Sequence, residues 1–171
     1  MIKNSKVDMM VRTALFLALT FVVTFFANVP LGIGNFNLGD SMILVGALFL
    51  PCLPLGLAGG LGACFADLAG GYGAFAPFTL VIKFFEGILV ALLYKYLKKV
   101  IKNQYARYLV ATILGIIIMP IGYFFVNWML FSLNEAVLAL GHDFLQALFA
   151  VIIANILFYP LDKITKNIKT Y

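Results

Sequence analysis

The chain has 171 residues, of which 64% are hydrophobic and only 11% are charged, and its net charge is +5. A soluble domain carries about 25% charged residues, so this composition excludes a water-facing globular protein and predicts one membrane domain over residues 1–171. The cations flank apolar segments and do not form one basic face. This pattern indicates membrane lipid as a partner and no nucleic acid.

Six apolar segments predict an all-α integral membrane bundle of six helices. The predicted helices lie at about 10–29, 41–53, 55–70, 76–97, 108–131 and 144–161. Pro51 and Pro54 divide the second segment from the third, and the second would span only about 20 Å. Residues 41–70 are therefore expected either to cross the membrane twice or to form a short hairpin.

Lys and Arg residues cluster before the first helix, at residues 95–107 and in the tail. Cytoplasmic flanks of membrane helices retain these residue types, so both termini and the 98–107 loop are predicted to be cytoplasmic. If residues 41–70 crossed the membrane only once, the 98–107 loop would lie on the outer side, against the positive-inside bias. The connections 30–40, 71–75 and 132–143 are then expected on the outer side.

The first helix and the loop that follows it carry two candidate features. Ala14 and Ala18 form a small-xxx-small pair, which either packs within the chain or docks another membrane subunit. Loop one, residues 30–40, offers hydrogen-bonding groups and a ring on a Gly-containing lid at Asn35, Phe36 and Asn37. Asp40 is expected to cap the next helix.

The Gly-rich stretch 57–72 lacks the spacing of a nucleotide-binding loop. Ala58, Gly62, Ala66 and Gly70 recur every four residues, which predicts a flat helix face for close packing. The two cysteines at 52 and 64 lie in apolar context without metal-ligand spacing, so no metal and no cofactor is predicted.

Helix four carries Lys83 and Glu86 three residues apart, on one face. Each charge costs roughly 2.5–3.5 kcal/mol near the middle of a bilayer, so the two should pair or face a wet cavity. Asp67 is a further candidate counter-ion. The pair is either a structural tie between helices three and four or a contact to a polar ligand.

Polar and aromatic residues also gather at the predicted outer ends of helices four to six. Asp143 is expected to cap helix six, and Trp128 could anchor the helix at the membrane interface. Together with loop one, these residues suggest an apolar pocket with a few polar groups, suited to a flat aromatic ligand. The outer residues are Phe75, Thr79, Asn127, Trp128, His142 and Gln146.

No nucleophile-and-base set is evident, so the chain is not expected to be an enzyme. Two alternatives stay open. One is a small membrane-embedded enzyme that uses His142 and Asp143, or Glu86, in acid–base chemistry. The other is a non-catalytic scaffold in which the pair of Lys83 and Glu86 is purely structural.

Three stretches resemble a known family. They read ALFLALT from residue 14, NFNLGDSMILVGALFLP from residue 35 and GGLGACFADLAGGYGAFAPFTLVIKFFEG from residue 59. In these stretches the chain resembles the substrate-binding S components of energy-coupling factor (ECF) vitamin transporters. It looks closest to the branch for hydroxymethylpyrimidine or pyridoxine.

The resemblance implies a six-helix subunit of a prokaryotic cell-membrane importer that captures a vitamin outside. Its partners would be the vitamin, a transmembrane coupling subunit and two ATP-binding subunits, and the chain itself has no ATPase motif. Ala14 and Ala18 match the coupling-subunit docking face. Pantothenate, thiamine, riboflavin and folate remain alternative substrates. The expected substrate contacts are Asn35, Phe36, Asn37, Asp40, Phe75, Thr79, Lys83, Glu86, Asn127, Trp128, His142 and Gln146.

Overall fold

A computed structural model describes residues 5–30 and 35–167. In these ranges the chain forms seven α-helices, one antiparallel pair of two-residue strands, and a 3₁₀ turn at Leu97–Lys99. The strands are β1 (Val29–Pro30) and β2 (Asn35–Phe36). The helices are α1 (Ser5–Phe26), α2 (Gly39–Gly46), α3 (Cys52–Ala69), α4 (Ala76–Tyr96), α5 (Gln104–Gly115), α6 (Ile118–Leu130) and α7 (Leu133–Asn167).

Five stretches of the described chain are long and apolar enough to cross a membrane, which confirms the prediction of an all-helical membrane protein in its coarse form. These candidate spans are Lys6–Phe26, Cys52–Ala69, Ala76–Lys99, Gln104–Leu130 and Leu133–Ile164. The second predicted helix, 41–53, has no matching candidate span among the described residues. With eight residues, α2 is only about 12 Å long and cannot cross a ~30 Å apolar core.

The fifth predicted helix, 108–131, is interrupted in the structure. α5 ends at Gly115 and α6 begins at Ile118. Pro120 has no N–H, and its ring would clash with the carbonyl group four residues earlier, at Ile116. The helix therefore breaks at that carbonyl, and the two parts together form one candidate span.

The predicted loop at 132–143 is wrong, because α7 begins at Leu133 and runs without interruption to Asn167. Ser132 marks the start of this helix, since its Oγ accepts a hydrogen bond from the Glu135 backbone N at 3.2 Å. Ser followed three residues later by Glu is the sequence of a capping box. The predicted cap, Asp143, instead lies ten residues inside the helix.

The Gly-rich helix α3 packs between α1 and α4. A Cβ on Gly62 would come within 2.6 Å of the Leu17 carbonyl oxygen on α1, and one on Gly60 would come within 2.7 Å of the Leu80 carbonyl oxygen on α4. The packing interpretation of this stretch is therefore correct for Ala58, Gly62 and Ala66, which are buried, whereas Gly70 at the end of α3 is exposed. Small residues on two sides of α3 form a glycine seam, here defined by Gly56, Gly60 and Gly62, that brings three helix backbones together.

The alternation of the helices gives the bundle two ends. The loop end holds the β1–β2 pair and the connections after α3 and α6. The basic end holds the turn between α2 and α3 and the connection from α4 to α5. The cations at this end, called the basic cluster below, are Lys95, Lys98, Lys99, Lys102 and Arg107.

Candidate functional site

A buried charge network lies in the half of the bundle nearer the loop end. Lys83 on α4 is 3% exposed, Asp40 on α2 is 1% exposed and Glu86 on α4 is fully buried. The Lys83 Nζ donates hydrogen bonds to Asp40 Oδ1 and to Glu86 Oε2, the latter at 3.1 Å. The predicted pairing of Lys83 with Glu86 is therefore present, and Asp40 completes a three-residue network.

Asp40 does not cap α2, contrary to the sequence-based expectation. Leu38 occupies the cap position and contributes no side-chain hydrogen bond, while Asp40 lies in the first turn of the helix. A lysine buried without a counter-ion is far more costly than a missing cap, so the carboxylate turns toward Lys83. It still lies near the positive end of the helix dipole.

Gln146 on α7 connects this network to loop one. Its Nε2 donates to Asp40 Oδ2 at 2.7 Å, and its Oε1 accepts from the Asn37 backbone N at 2.9 Å. The Asn37 side chain accepts from the Gly39 N at 3.0 Å, which fixes the entry into α2. Loop one and the start of α2 therefore meet the distant helix α7 at one amide, and this contact is called the Gln146 tie below.

α6 contributes a side chain that the sequence analysis missed. Tyr123 OH is 2.9 Å from Thr79 Oγ1, and the Lys83 Nζ lies 5.5 Å from the centroid of the Tyr123 ring. Asn127 is buried on the same face of α6 and donates to the Tyr123 carbonyl oxygen at 3.0 Å. The four-residue spacing of Tyr123 and Asn127 was the available signal, because such residues share one helix face.

Two more carboxylates surround the network. Asp67 on α3 interacts electrostatically with Lys83, and Asp143 on α7 interacts with Lys83, Asp40 and His142. The expectation that Asp143 caps a helix fails because α7 starts ten residues earlier. Two carboxyl groups contact Lys83 and two more interact with it electrostatically, so carboxyl oxygens outnumber the donors of the lysine at this site.

Several polar atoms of this site are buried and lack a partner in the described part of the chain. They are Glu86 Oε1, Asp143 Oδ2 and the Nδ1 of His142. Buried polar atoms are nearly always hydrogen-bonded, so three such atoms around one network are unusual. The two carboxyl oxygens are suited to accept hydrogen bonds from a polar molecule that enters from the loop end, and the imidazole nitrogen can donate or accept one.

Two pairs of aromatic side chains join loop one to α7 and the start of α4 to the end of α6. Phe36 contacts Phe149 edge to face with ring centroids 5.6 Å apart, and Phe75 lies 6.0 Å from Phe131. Trp128 is 51% exposed, and it contacts Phe124 and Phe125 on its own helix. The structure does not bring Trp128 to the network. The side chain of Asn35 lies outside the described residues.

The candidate docking pair on α1 is solvent- or lipid-facing. Ala14 and Ala18 are both exposed, whereas Phe16 and Thr20 on the other face are buried against the bundle. Of the two interpretations left open by the sequence, internal packing is therefore excluded for the alanine pair. Among the described residues, no three His, Cys, Asp or Glu side chains are grouped as a metal site would require.

Comparison with known proteins assigns this arrangement to a family. A protein from Pyrococcus woesei, described as an uncharacterized protein in a gap 3′ region, is 39% identical over 135 residues. The aligned part covers 79% of this chain and 87% of that relative. The family described as ECF-type riboflavin transporter, S component, matches residues 4–166. The chain belongs to this family and is therefore a substrate-binding membrane subunit of an energy-coupling factor transporter.

Proposed function

We propose that the chain captures a flat heteroaromatic vitamin from outside the cell and holds it against the buried network of Asp40, Lys83, Glu86 and Gln146. The observation that carries the proposal is the set of buried polar atoms without hydrogen-bond partners at Glu86, Asp143 and His142. Unpartnered buried atoms occur elsewhere in the described residues too, but these three lie together around one buried network. This favours ligand contact over a purely structural role for Lys83 and Glu86.

The excess of acceptors favours a ligand that donates hydrogen bonds from the edge of its ring. Riboflavin has an imide N–H and a chain of hydroxyl groups, and it is the first candidate because the matching family carries its name. Hydroxymethylpyrimidine and pyridoxine, which donate through amino or hydroxyl groups, are the second candidates because of the resemblance in sequence. Phe36, Phe75 and their ring partners supply apolar walls on which a flat ring can pack.

The position of loop one gives the proposal an entry route. Asn35, Phe36 and Asn37 form a segment above the network, and the Gln146 tie is its hydrogen-bonded contact to α7. With the basic end in the cytoplasm, as the positive-inside pattern predicts, this segment faces outward. Thr79, Asn127 and Tyr123 line the α4–α6 side, and Trp128 is left as an interfacial anchor.

Delivery into the cell requires partners, since the chain has no ATP-binding motif. Membership of the family implies a transmembrane coupling subunit and two ATPases. The exposed Ala14 and Ala18 face is the proposed docking surface for the coupling subunit, because small residues allow two membrane helices to approach closely.

Direct titration of the purified chain tests the proposal. Riboflavin is followed by quenching of its own fluorescence, and pyridoxine and hydroxymethylpyrimidine by calorimetry or by competition. Glu86→Gln keeps the side-chain size but removes a charged acceptor, so affinity should fall by about tenfold or more. Glu135→Gln is the matched control, since Glu135 lies at the loop end outside the network, and it should bind like the unaltered chain. Equal affinity of both variants would contradict the proposed site, and binding of no vitamin in the panel would contradict the proposed substrate class.

A further inference from the structure

A cavity lies at the basic end, and none of the residues of the network around Lys83 lines it. It is a cleft of about 980 Å³ beneath the turn between α2 and α3. One wall consists of residues 47–52 together with Ala91, and the other contains Tyr94 and the basic cluster defined above. The cleft is therefore apolar toward the membrane interior and cationic toward the end of the bundle.

The shortness of α2 explains why the cleft exists. Gly87 on α4 packs against Leu55 near the start of α3. From that level α4 continues to Tyr96, whereas α3 begins only three residues away, at Cys52. At 1.5 Å per residue, α4 extends about 9 Å beyond the turn between α2 and α3. Because α2 stops early, a space about 9 Å deep remains open along α4 and α5.

All five cations of the basic cluster line the cleft, and no Asp or Glu does so among the described residues. Four of them are exposed lysines. The carboxylate of Asp162 does not line the cleft, but it accepts from the Nε2 of Gln104, a lining residue, at 2.6 Å. Like charges this close together repel one another unless an anion lies between them. The charge distribution therefore indicates an anionic occupant.

Arg107 is held in a fixed orientation at this cleft. Its guanidinium lies 4.6 Å from the centroid of the Tyr94 ring, and its Nη2 donates to Tyr94 OH at 3.3 Å. The Arg107 Nε is buried and has no partner among the described residues. A stacked, planar guanidinium with a free N–H is suited to phosphate, because its donors match the spacing of two phosphate oxygens.

We propose that this cleft binds the headgroup of an anionic phospholipid from the inner leaflet. The basic cluster holds the phosphate, with Arg107 as the oriented donor, and the apolar wall at 47–52 contacts the upper part of an acyl chain. Basic pockets between membrane helices on the cytoplasmic side are suited to anionic headgroups. A free phosphate ion would use only the cationic wall and leave the apolar wall unexplained.

Native mass spectrometry of the delipidated chain in detergent tests the proposal. The probes are dioleoyl phosphatidylglycerol and dioleoyl phosphatidylcholine, titrated separately, and inorganic phosphate is then added in excess as a competitor. The cleft variants are Lys99→Gln/Lys102→Gln, both exposed positions, and Arg107→Gln. The matched control is Lys6→Gln/Lys163→Gln, which removes two exposed cations outside the cleft. Thermal unfolding verifies that each variant is folded.

We expect phosphatidylglycerol to bind more tightly than phosphatidylcholine and to resist displacement by phosphate. Each cation removed from the cleft should weaken phosphatidylglycerol binding by about fivefold, while the control should bind unchanged. Equal binding of the two lipids, or an equal loss in the control, would overturn the proposal in favour of general surface charge. Displacement by inorganic phosphate would identify a free-anion site instead. Unchanged lipid binding with weakened association to the coupling subunit would identify a protein docking surface.

Discussion

Replacement of Lys83 by methionine is the most direct test of the buried network. Lys83 is 3% exposed and is the cation shared by Asp40 and Glu86. Lys83→Met removes the charge but keeps a long apolar side chain, so the change leaves two buried carboxyl groups without their counter-ion. Removal of one partner from a buried ion pair costs about 3–5 kcal/mol.

This free-energy change should be visible in the melting temperature of the detergent-solubilised chain. For a protein of this size 1 kcal/mol corresponds to about 2–4 °C, so Lys83→Met should melt roughly 6–20 °C lower. Lys95→Met is the control on the same helix, and because Lys95 is exposed its effect should stay within about 0.5 kcal/mol. A melting temperature for Lys83→Met within about 2 °C of the unaltered chain would refute the network as described.

A triple variant separates stability from ligand binding. Buried ion pairs can often be replaced by apolar residues of similar volume without loss of stability, so Asp40→Leu/Lys83→Met/Glu86→Leu should recover most of the melting temperature. It should not recover binding of the vitamin, because the three ionisable side chains at the centre of the proposed site are gone. Retained binding in the triple variant would show that the network is structural only.

Two further predictions concern helix packing and docking. Gly60→Ala places a Cβ within 2.7 Å of the Leu80 carbonyl oxygen and should destabilise the bundle by about 1–3 kcal/mol. Gly141→Ala on α7, where the new Cβ meets open space, should be neutral or stabilising by up to about 1 kcal/mol. Thermal unfolding of both variants measures the difference. Ala14→Trp should leave vitamin binding unchanged but abolish uptake by the reconstituted complex. Ile156→Trp, at another exposed position on α7, should leave both unchanged, and normal uptake with Ala14→Trp would rule out the docking role.

The sequence predicted the helices well where length and hydropathy decide. α1, α3 and α4 lie close to their predicted positions, since each is one apolar run bounded by Gly, Pro or polar residues. The prediction was wrong at two helix boundaries that local sequence signals determine. Ser132 and Glu135 mark the start of α7, and Pro120 marks the break between α5 and α6, yet hydropathy outweighed both signals.

The site was predictable in composition but not in pairing. An ionisable residue at membrane depth singled out Lys83, and its spacing singled out Glu86. Lys83 and Asp40 are 43 residues apart in sequence, and Gln146 and Asp40 are 106 residues apart, so no local pattern could reveal these two contacts. The spacing of Tyr123 and Asn127 placed both on one face of α6, but the contact of Tyr123 with Thr79 depends on how α6 packs against α4.

The two kinds of contact in this bundle differ in how easily they can separate. The glycine seam joins α1, α3 and α4 through close backbone approach, and moving these helices apart would lose dispersion contacts along their whole length. The Gln146 tie joins loop one and α2 to α7 through two hydrogen bonds, which water could replace at the loop end. Opening of the site should therefore occur at the Gln146 tie, while α1, α3 and α4 move as one body. Because the proposed docking face on α1 and the network lysine on α4 both belong to that body, force applied by a coupling subunit at Ala14 would reach Lys83 through packed helices and not through loop one.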